Sequence, residues 1–463
     1  MADHSDCGCT RRRVLRSLVG SSVILPAILS DLLAADGSAV VPTETNPLAP
    51  RAPHFPPRAK RVIFLHMSGG VSHVDTFDPK PKLFADHGKS VLKDKYLTRP
   101  QWSFKRYGQS GIEVSDLLPN IGQCVDNLCV IRSMKNDHGD HYEATLGIHT
   151  GSVTFTRPSI GSWVSYGLGT INQNLPSFIV IAPQTPYSGS QVWGSDFLPA
   201  IHQGTRIVPG PEPIPDLKPR APSPEIQEME LGLLDFFNRR HLRERESDAA
   251  LATRIKSFET AYSMQKEAPE AFDLAKESDA TLELYGLERG STGGFAWQCL
   301  VARRLAERGV RFVELIDSGA SGNWDAHGDM QTCAPLAKNI DRPIAGLLKD
   351  LKGRGLLSDT LVVWTTEFGR TPFCASPDAK GREHHAQAYS SWLAGGGVKG
   401  GITYGQTDDY GIEVASDQMH IHDFHATILF LLGIDHTRLT FRHAGRDFRL
   451  TDVAGRVIKE VLG

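Results

Sequence analysis

The segments RFVELIDSGASGNWDAHGDM (311–330), TLVVWTTEFGRTPF (360–373) and GREHH (381–385) decide how this chain folds. Two apolar runs, Val310–Ile316 and Thr360–Thr366, have the length and unbroken hydrophobicity of strands buried on both faces of a parallel sheet. Each run stops in a loop dense in metal-capable side chains. The first loop carries Asp317, Asn323, Asp325, His327 and Asp329; the second begins at Glu367 and continues to Glu383, His384 and His385. Between the runs, Leu336, Ile340, Ile344, Leu347, Leu348 and Leu351 recur with a helical period and predict a crossover helix. Strand, helix and strand bring both loops to the carboxyl edge of one sheet, where open α/β folds bind ligands. Imidazoles and carboxylates gathered there point to a divalent-metal site. The competing reading is a pair of solvated loops with a helix cap and a buried histidine.

The 463 residues suffice for two or three average domains, or for one large α/β domain with insertions. Hydrophobic content of 40% and charged content of 22% are those of a globular protein able to bury a core. A net charge of −3 leaves no basic excess to neutralise phosphates, which argues against a nucleic-acid partner. The seven cysteines show no paired metal spacing, and Cys7 and Cys9 stand in the leader, so a disulfide framework is not expected. Cys124 and Cys129 read as small core thiols.

Arg11 and Arg12, then Val14, Leu15, Arg16 and a short apolar run to Asp31, resemble a bacterial twin-arginine export signal over residues 1–35. The run is too short to span a membrane, so membrane contact is expected only during export. Residues 36–59 read as a Pro-rich linker. RVIFLH at 61–66 predicts a central strand, and the loop after it holds Gly69, Gly70, His73, Asp75 and Asp78. Residues 112–127 are expected to be helical, with strands at 128–132 and 177–182. The loop after the 128–132 strand contributes Asp137, His138, Asp140, His141, Glu143 and His149. Residues 205–290 read as a helical insertion, with Leu251, Ile255, Phe258 and Tyr262 on one face. His420, His422 and His425 open a helix, and a short amphipathic helix is expected at the end of the chain.

From Lys60 onward the chain resembles an exported bacterial family of unknown function within the sulfatase/alkaline-phosphatase superfamily. Four stretches carry the resemblance: GGVSHVDTFDPKP (69–81), RPSIGSWVSYGLG (157–169), NWDAHGD (323–329) with TTEFGRTP (365–372), and HATILFLLGIDH (425–436) with GRDFRLTDV (445–453). The resemblance implies one α/β domain over 60–463, alkaline-phosphatase-like, with a mainly parallel sheet sandwiched by helices. It also implies one or two divalent metals at the strand ends and a nucleophile that attacks a sulfate or phosphate ester. The superfamily's aspartate after the first strand is replaced by Met67 and Ser68, which leaves Asp75 as the nearest substitute. Its nucleophile lies nine residues before a Thr-Gly pair; counting back from Thr150 and Gly151 gives His141, a ligand or, failing that, a phospho-accepting imidazole. Thr156, ahead of Arg157-Pro158-Ser159, lies after that pair and ranks below His141. The Asp-x-x-x-His pair is matched by Asn323 and His327 with Asp325 between them, the Asp-His pair by Glu367 and Phe368, and the last histidine by His384 or His385.

The sequence therefore predicts an exported, metal-dependent hydrolase of a sulfate or phosphate ester. His141 is the catalytic candidate, and Asp75, His141, Asp325, His327, Glu367, His384 and His385 form the metal set, for zinc, manganese or iron. The alternative is a degenerate, metal-stabilised binding module for an anionic polysaccharide. In either case the partner is an anionic small molecule or polysaccharide ester. Export is directly testable: with Arg11 and Arg12 both changed to Lys, cell fractionation should find the protein in the cytoplasm, because the export machinery reads the paired guanidinium groups. Undiminished export would show another signal.

Overall fold

The computed structural model describes residues 46–463 except 216, 218–220 and 246–248; the export signal lies outside the described residues. Nine strands form the main sheet: β1 (Arg61–His66), β2 (Leu128–Lys135), β3 (Phe178–Ile181), β4 (Thr205–Ile207), β5 (Phe312–Ile316), β6 (Thr360–Thr365), β7 (Tyr389–Ala394), β8 (Ile402–Tyr404) and β9 (Met419–His420). They lie in the order β8-β2-β7-β6-β1-β5-β3-β4, with β9 paired to the end of β2. Every pairing is parallel except those of β7, which runs against both β6 and β2. The exception has a simple cause. Residues 366–388 contain no crossover helix, so the chain leaving β6 re-enters the sheet from the same edge and must run antiparallel.

Helices α1 (His141–Thr150), α2 (Ile160–Leu168), α3 (Pro224–Arg243), α4 (Ala249–Phe272), α5 (Gly294–Glu307), α6 (Cys333–Gly353) and α7 (Ile421–Leu431) complete the architecture. The chain divides into two compact units, and α3 is the described helix of the smaller one, which includes residues 219–248. It starts at Pro224 behind Ser223, whose side chain accepts from the Ile226 amide, a standard N-terminal cap. All other elements belong to the larger unit.

The alternation of side chains along each strand sorts that unit's core into two layers. Ile63 and Leu65 of β1, Val313 and Leu315 of β5 and Val362 and Trp364 of β6 pack with α4, α5 and α6. Val62 and Phe64, Phe312 and Ile316, and Leu361 and Val363 pack with Ile148 of α1, Trp163 of α2 and Phe424, Ile428 and Leu431 of α7. The expected α/β sandwich with a mainly parallel sheet is what the chain forms. The 312–316 and 360–365 strands are not neighbours, however, because β1 lies between them and pairs with both.

Local expectations differ in four places. Residues 112–115 are a strand, paired antiparallel with Phe104–Tyr107, and helix is confined to the short turns 119–122 and 125–127. In α4, Phe258 is exposed; Met264, Ala268 and Ala271 supply the buried face, so the packing stripe lies further along the helix than the larger side chains suggest. The terminal helix is a single turn, Lys459–Val461, after an antiparallel ribbon of Phe441–His443 with Arg446–Phe448. Residues 47–59 lie along the body rather than hanging as a linker: Leu48 is buried, and the backbone amides of Arg51, His54 and Arg58 donate to Leu168, Gly433 and Leu431.

One buried ionic network ties the helical layer together. Arg303 of α5, 1% exposed, lies 2.8 Å from Glu277, 2.6 Å from Glu307 and 2.9 Å from Asp350 of α6. Removing that cation takes away the most deeply buried partner of all three carboxylates, which keep only Arg304, on Glu277, and the more exposed Arg354. Arg303→Met is therefore expected to cost about 3–5 kcal/mol in chemical denaturation, in the range found when one partner of a buried ion pair is deleted.

Candidate metal centre

The site lies at the carboxyl edge of β1, β5 and β6, as the strand ends predict. Glu367, the second residue after β6, is fully buried and turns back under the β1 loop. Its Oε1 accepts the Gly69 amide at 2.7 Å and His141 Nδ1–H at 2.8 Å; its Oε2 accepts Thr366 Oγ1 at 3.2 Å. Burial opposes ionisation of Glu367, but His141 and then His66 outweigh it and hold the carboxyl below its usual pKa. Gly69 has φ of +109°, and a Cβ there would sit 2.7 Å from Asn323 Oδ1, so this close approach admits glycine alone.

His141 is the first residue of α1, with Asp140 at the cap. Its ring is stacked on Tyr187 at 4.1 Å and 7°, and its Nε2 is 3.3 Å from Asp325 Oδ2. His384 Nδ1–H donates to the Gly139 carbonyl at 2.8 Å, and its Nε2 lies 3.3 Å from Asp325 Oδ1. His327 Nδ1 is 2.9 Å from Glu383, while its Nε2 is 2.8 Å from Asp325 Oδ1 and 3.1 Å from His384 Nε2. Arg370, fully buried, donates to the Gly70 carbonyl at 2.9 Å, to the Gly69 carbonyl and to Asp325 Oδ1. Burial works against the Asp325 anion, but His141, His384 and Arg370 hold its pKa far below the carboxylate range. For His141 burial works against protonation, and the Asp325 and Glu367 carboxylates outweigh it and raise the pKa.

The proton inventory of this cluster is informative. In each of the three histidines an oxygen faces Nδ1, a carbonyl for His384 and a carboxylate for His141 and His327, so Nδ1 carries the proton of the neutral ring. That leaves three Nε2 lone pairs pointing at one carboxylate, and His141 Nε2 is buried without a hydrogen-bond partner. Asp325 and Glu367 face the single buried Arg370, and the excess negative charge favours either a proton on His141 or a cation beside it. A divalent cation supplies the missing positive charge, and imidazole nitrogens with a carboxylate are a donor set suited to zinc, manganese or iron. The residues fit the ion.

Of the residues expected from sequence, His141, Asp325, His327, Glu367 and His384 come together. Glu367 stands behind His141, on the Nδ1 side, where it orients the ring. Asp75 lies elsewhere: its Oδ2 is ion-paired with buried Arg382 at 2.7 Å and bonded to Ser72 at 2.5 Å, which braces the chain just before His384. His385 also turns away, its Nε2 donating to the Ile412 carbonyl at 2.7 Å and its ring stacked on His73. Burial, then His73, lowers its pKa to about 4, so it remains neutral. Adjacent residues of an extended segment face opposite sides, and only one of the two histidines can enter the site. Arg370 and Tyr187 escaped the sequence reading. Arg370 lies inside the TTEFGRTP stretch, whereas Tyr187 lies in a loop without a chemical signature.

A second His/Asp group, Asp137 with His420 and His422, has a different proton arrangement. His420 caps α7 by accepting the His422 amide on Nδ1, so its proton sits on Nε2 and is donated to Asp137 at 2.8 Å. That pair is already satisfied as a hydrogen bond.

Fold and cluster together define an α/β protein with a candidate divalent-cation centre at its strand ends. Residues 59–462 match the family model described as "Protein of unknown function (DUF1501)", and the chain belongs to that family. No curated protein matches the chain. Among solved structures it is similar to the lipoteichoic acid synthase LtaP from Listeria monocytogenes, at 8% identity and a TM-score of 0.37 over 86% of this chain and 76% of the other. It is also similar to alkaline phosphatase from the Antarctic bacterium TAB5, at 11% identity and a TM-score of 0.30 over 81% and 98%. The phosphonate monoester hydrolase SpPMH from Silicibacter pomeroyi gives 11% identity and a TM-score of 0.34 over 81% and 73%. Likeness this distant does not carry an activity across.

The loop that holds Asn323, Asp325 and His327 hangs from Asp317, which accepts the Ser68 amide at 3.0 Å, Ser318 Oγ at 3.0 Å and Trp324 Nε1 at 2.7 Å. Burial pushes the Asp317 carboxyl up to about 6, above its value in the unfolded chain. The folded state therefore binds this proton more tightly, and the group's contribution is most favourable below about pH 4 and declines as pH rises to about 6. Asp317→Asn removes that titration. The stability of the native protein relative to Asp317→Asn, measured in urea, should fall between pH 4 and pH 6 and be flat above it.

Proposed function

We propose that this protein is an exported, metal-dependent hydrolase of a phosphate or sulfate ester. The observation that carries the reading is the convergence of His141, His327 and His384 Nε2 on Asp325 while every Nδ1 is held from behind. His141, His384 and Asp325 would hold the ion, with His327 beside them against Asp325 Oδ1, and the ion would supply Lewis-acid polarisation of an ester oxygen. Glu367 fixes the tautomer and plane of His141, and Glu383 does the same for His327. Arg370 occupies Asp325 Oδ1 and leaves Oδ2 as the freer oxygen. The amino end of α1 reaches the same point, so its unpaired N–H groups and dipole favour an anionic substrate there. Among the described residues, no Ser, Thr or Cys side chain bonds these four groups, so water is the nucleophile in this reading. His141, held at Nδ1 by Glu367 and with Nε2 left for the ion, is a ligand rather than the attacking group. Among the described residues, no helix is long and apolar enough to cross a membrane. The twin-arginine pair supports export, and export in folded form agrees with a centre completed beforehand.

Elemental analysis of protein purified without chelator is expected to give at least one equivalent of zinc, manganese or iron. His384→Ala should lose most of it, along with a ligand-dependent stabilisation of about 2.7 kcal/mol when the ion is present at 100 times its dissociation constant. Chelation should abolish hydrolysis of p-nitrophenyl phosphate or p-nitrophenyl sulfate. Bound metal without turnover of either ester would favour the binding module for an anionic polysaccharide, and metal-free protein would overturn the proposal.

A further inference from the structure

The centre has a neighbour whose hydrogen bonding is incomplete. Tyr187 lies flat on His141, and its hydroxyl oxygen accepts Asn323 Nδ2 at 3.0 Å. The direction of that bond is fixed by the rest of the Asn323 amide. Its Oδ1 accepts the Asp325 amide at 3.1 Å and its Nδ2 also donates to the Gly319 carbonyl at 2.9 Å, so the amide cannot be reversed without breaking both. The Tyr187 oxygen is thus an acceptor toward Asn323, and its own O–H proton has no acceptor among the described residues. A phenol is protonated at neutral pH. Asn323 also belongs to the loop of Asp325, so the hydroxyl is tied to the same loop as the carboxylate on which the three imidazoles converge. The ring is half-buried, pressed against His141 on one face and held at its tip, which leaves the donor preorganised.

We infer that Tyr187 is a substrate-binding residue whose hydroxyl donates a hydrogen bond to an oxygen of the tetrahedral oxyanion bound at the His141–Asp325 centre. This rests on the function proposed above and assigns to the same site a donor that recognises the phosphoryl or sulfuryl group itself rather than its alcohol. Tyr187 needs no proton transfer for this role. The bond to Asn323 polarises the phenol and strengthens it as a donor, and the aromatic stack keeps it from swinging away.

Tyr187→Phe separates this role from a merely structural one, because it keeps the stack on His141 and deletes the hydroxyl alone. Inorganic phosphate, then sulfate, would be titrated calorimetrically into the full chain loaded with one equivalent of zinc. The expected result is unchanged zinc content and melting temperature with phosphate affinity lowered about tenfold, the size of one hydrogen bond to a charged group. Tyr187→Leu, which loses stack and hydroxyl together, should lower phosphate affinity at least as far and disturb the zinc as well. If the wild type binds phosphate and Tyr187→Phe binds it equally, the role of Tyr187 fails while the metal centre stands. If the zinc-loaded wild type takes up neither oxyanion, the functional reading fails and the inference with it.

Discussion

The candidate site depends on one buried carboxylate. Glu367 has no exposed surface, yet it is ionised, because a backbone amide from the β1 loop, a hydroxyl from its own neighbour and an imidazole from α1 converge on it. Three separate segments of chain are thereby fixed to one point at the sheet edge. Such a group is costly to bury unless its partners are in place, and the cost enforces their geometry. The β1 loop must approach through glycine, α1 must begin at His141, and the imidazole must present Nε2 outward. Everything on the open side of that ring, Asp325, His327, His384 and Tyr187, is arranged around a direction that Glu367 sets.

Much of this was legible from residue order. Five strands could be placed because buried parallel strands are continuous apolar runs, and their ends located the histidines and carboxylates. The antiparallel direction of β7 has no local signature in the sequence. Direction depends on what the connection does in space, and 366–388 is long enough to have held a crossover. The choice between His384 and His385 was open for a related reason: sequence gives adjacency, whereas the side taken by each residue is set by the register of Gly369–Arg370 with His384–His385.

Asp75 is the instructive case among the candidate residues. Its place after the first strand made it the natural stand-in for a ligand, but Arg382 is nearer to it than any imidazole of the cluster, and a buried guanidinium claims a buried carboxylate. Arg382 precedes Glu383 and His384, so Asp75 still bears on the site by bracing the segment that delivers them. Cation and anion pairing across three hundred residues leaves no local pattern. The same holds for Arg370 with Asp325 and for Tyr187 on His141, which only folding brings together.

The position of β1 in the sheet also bears on biogenesis. Val62 pairs with Phe312 on one side and Leu361 on the other, so the first of the described strands to leave the ribosome is the one flanked by two of the later ones. Through most of synthesis it has neither neighbour, and both of its hydrogen-bonding edges stay open. Contacts of such long range form slowly and expose the chain to aggregation while they are awaited. The His141 loop likewise waits for Glu367 and His384. The candidate cluster cannot exist on a nascent chain, and a cell must keep nearly the whole polypeptide in hand before its side chains can meet.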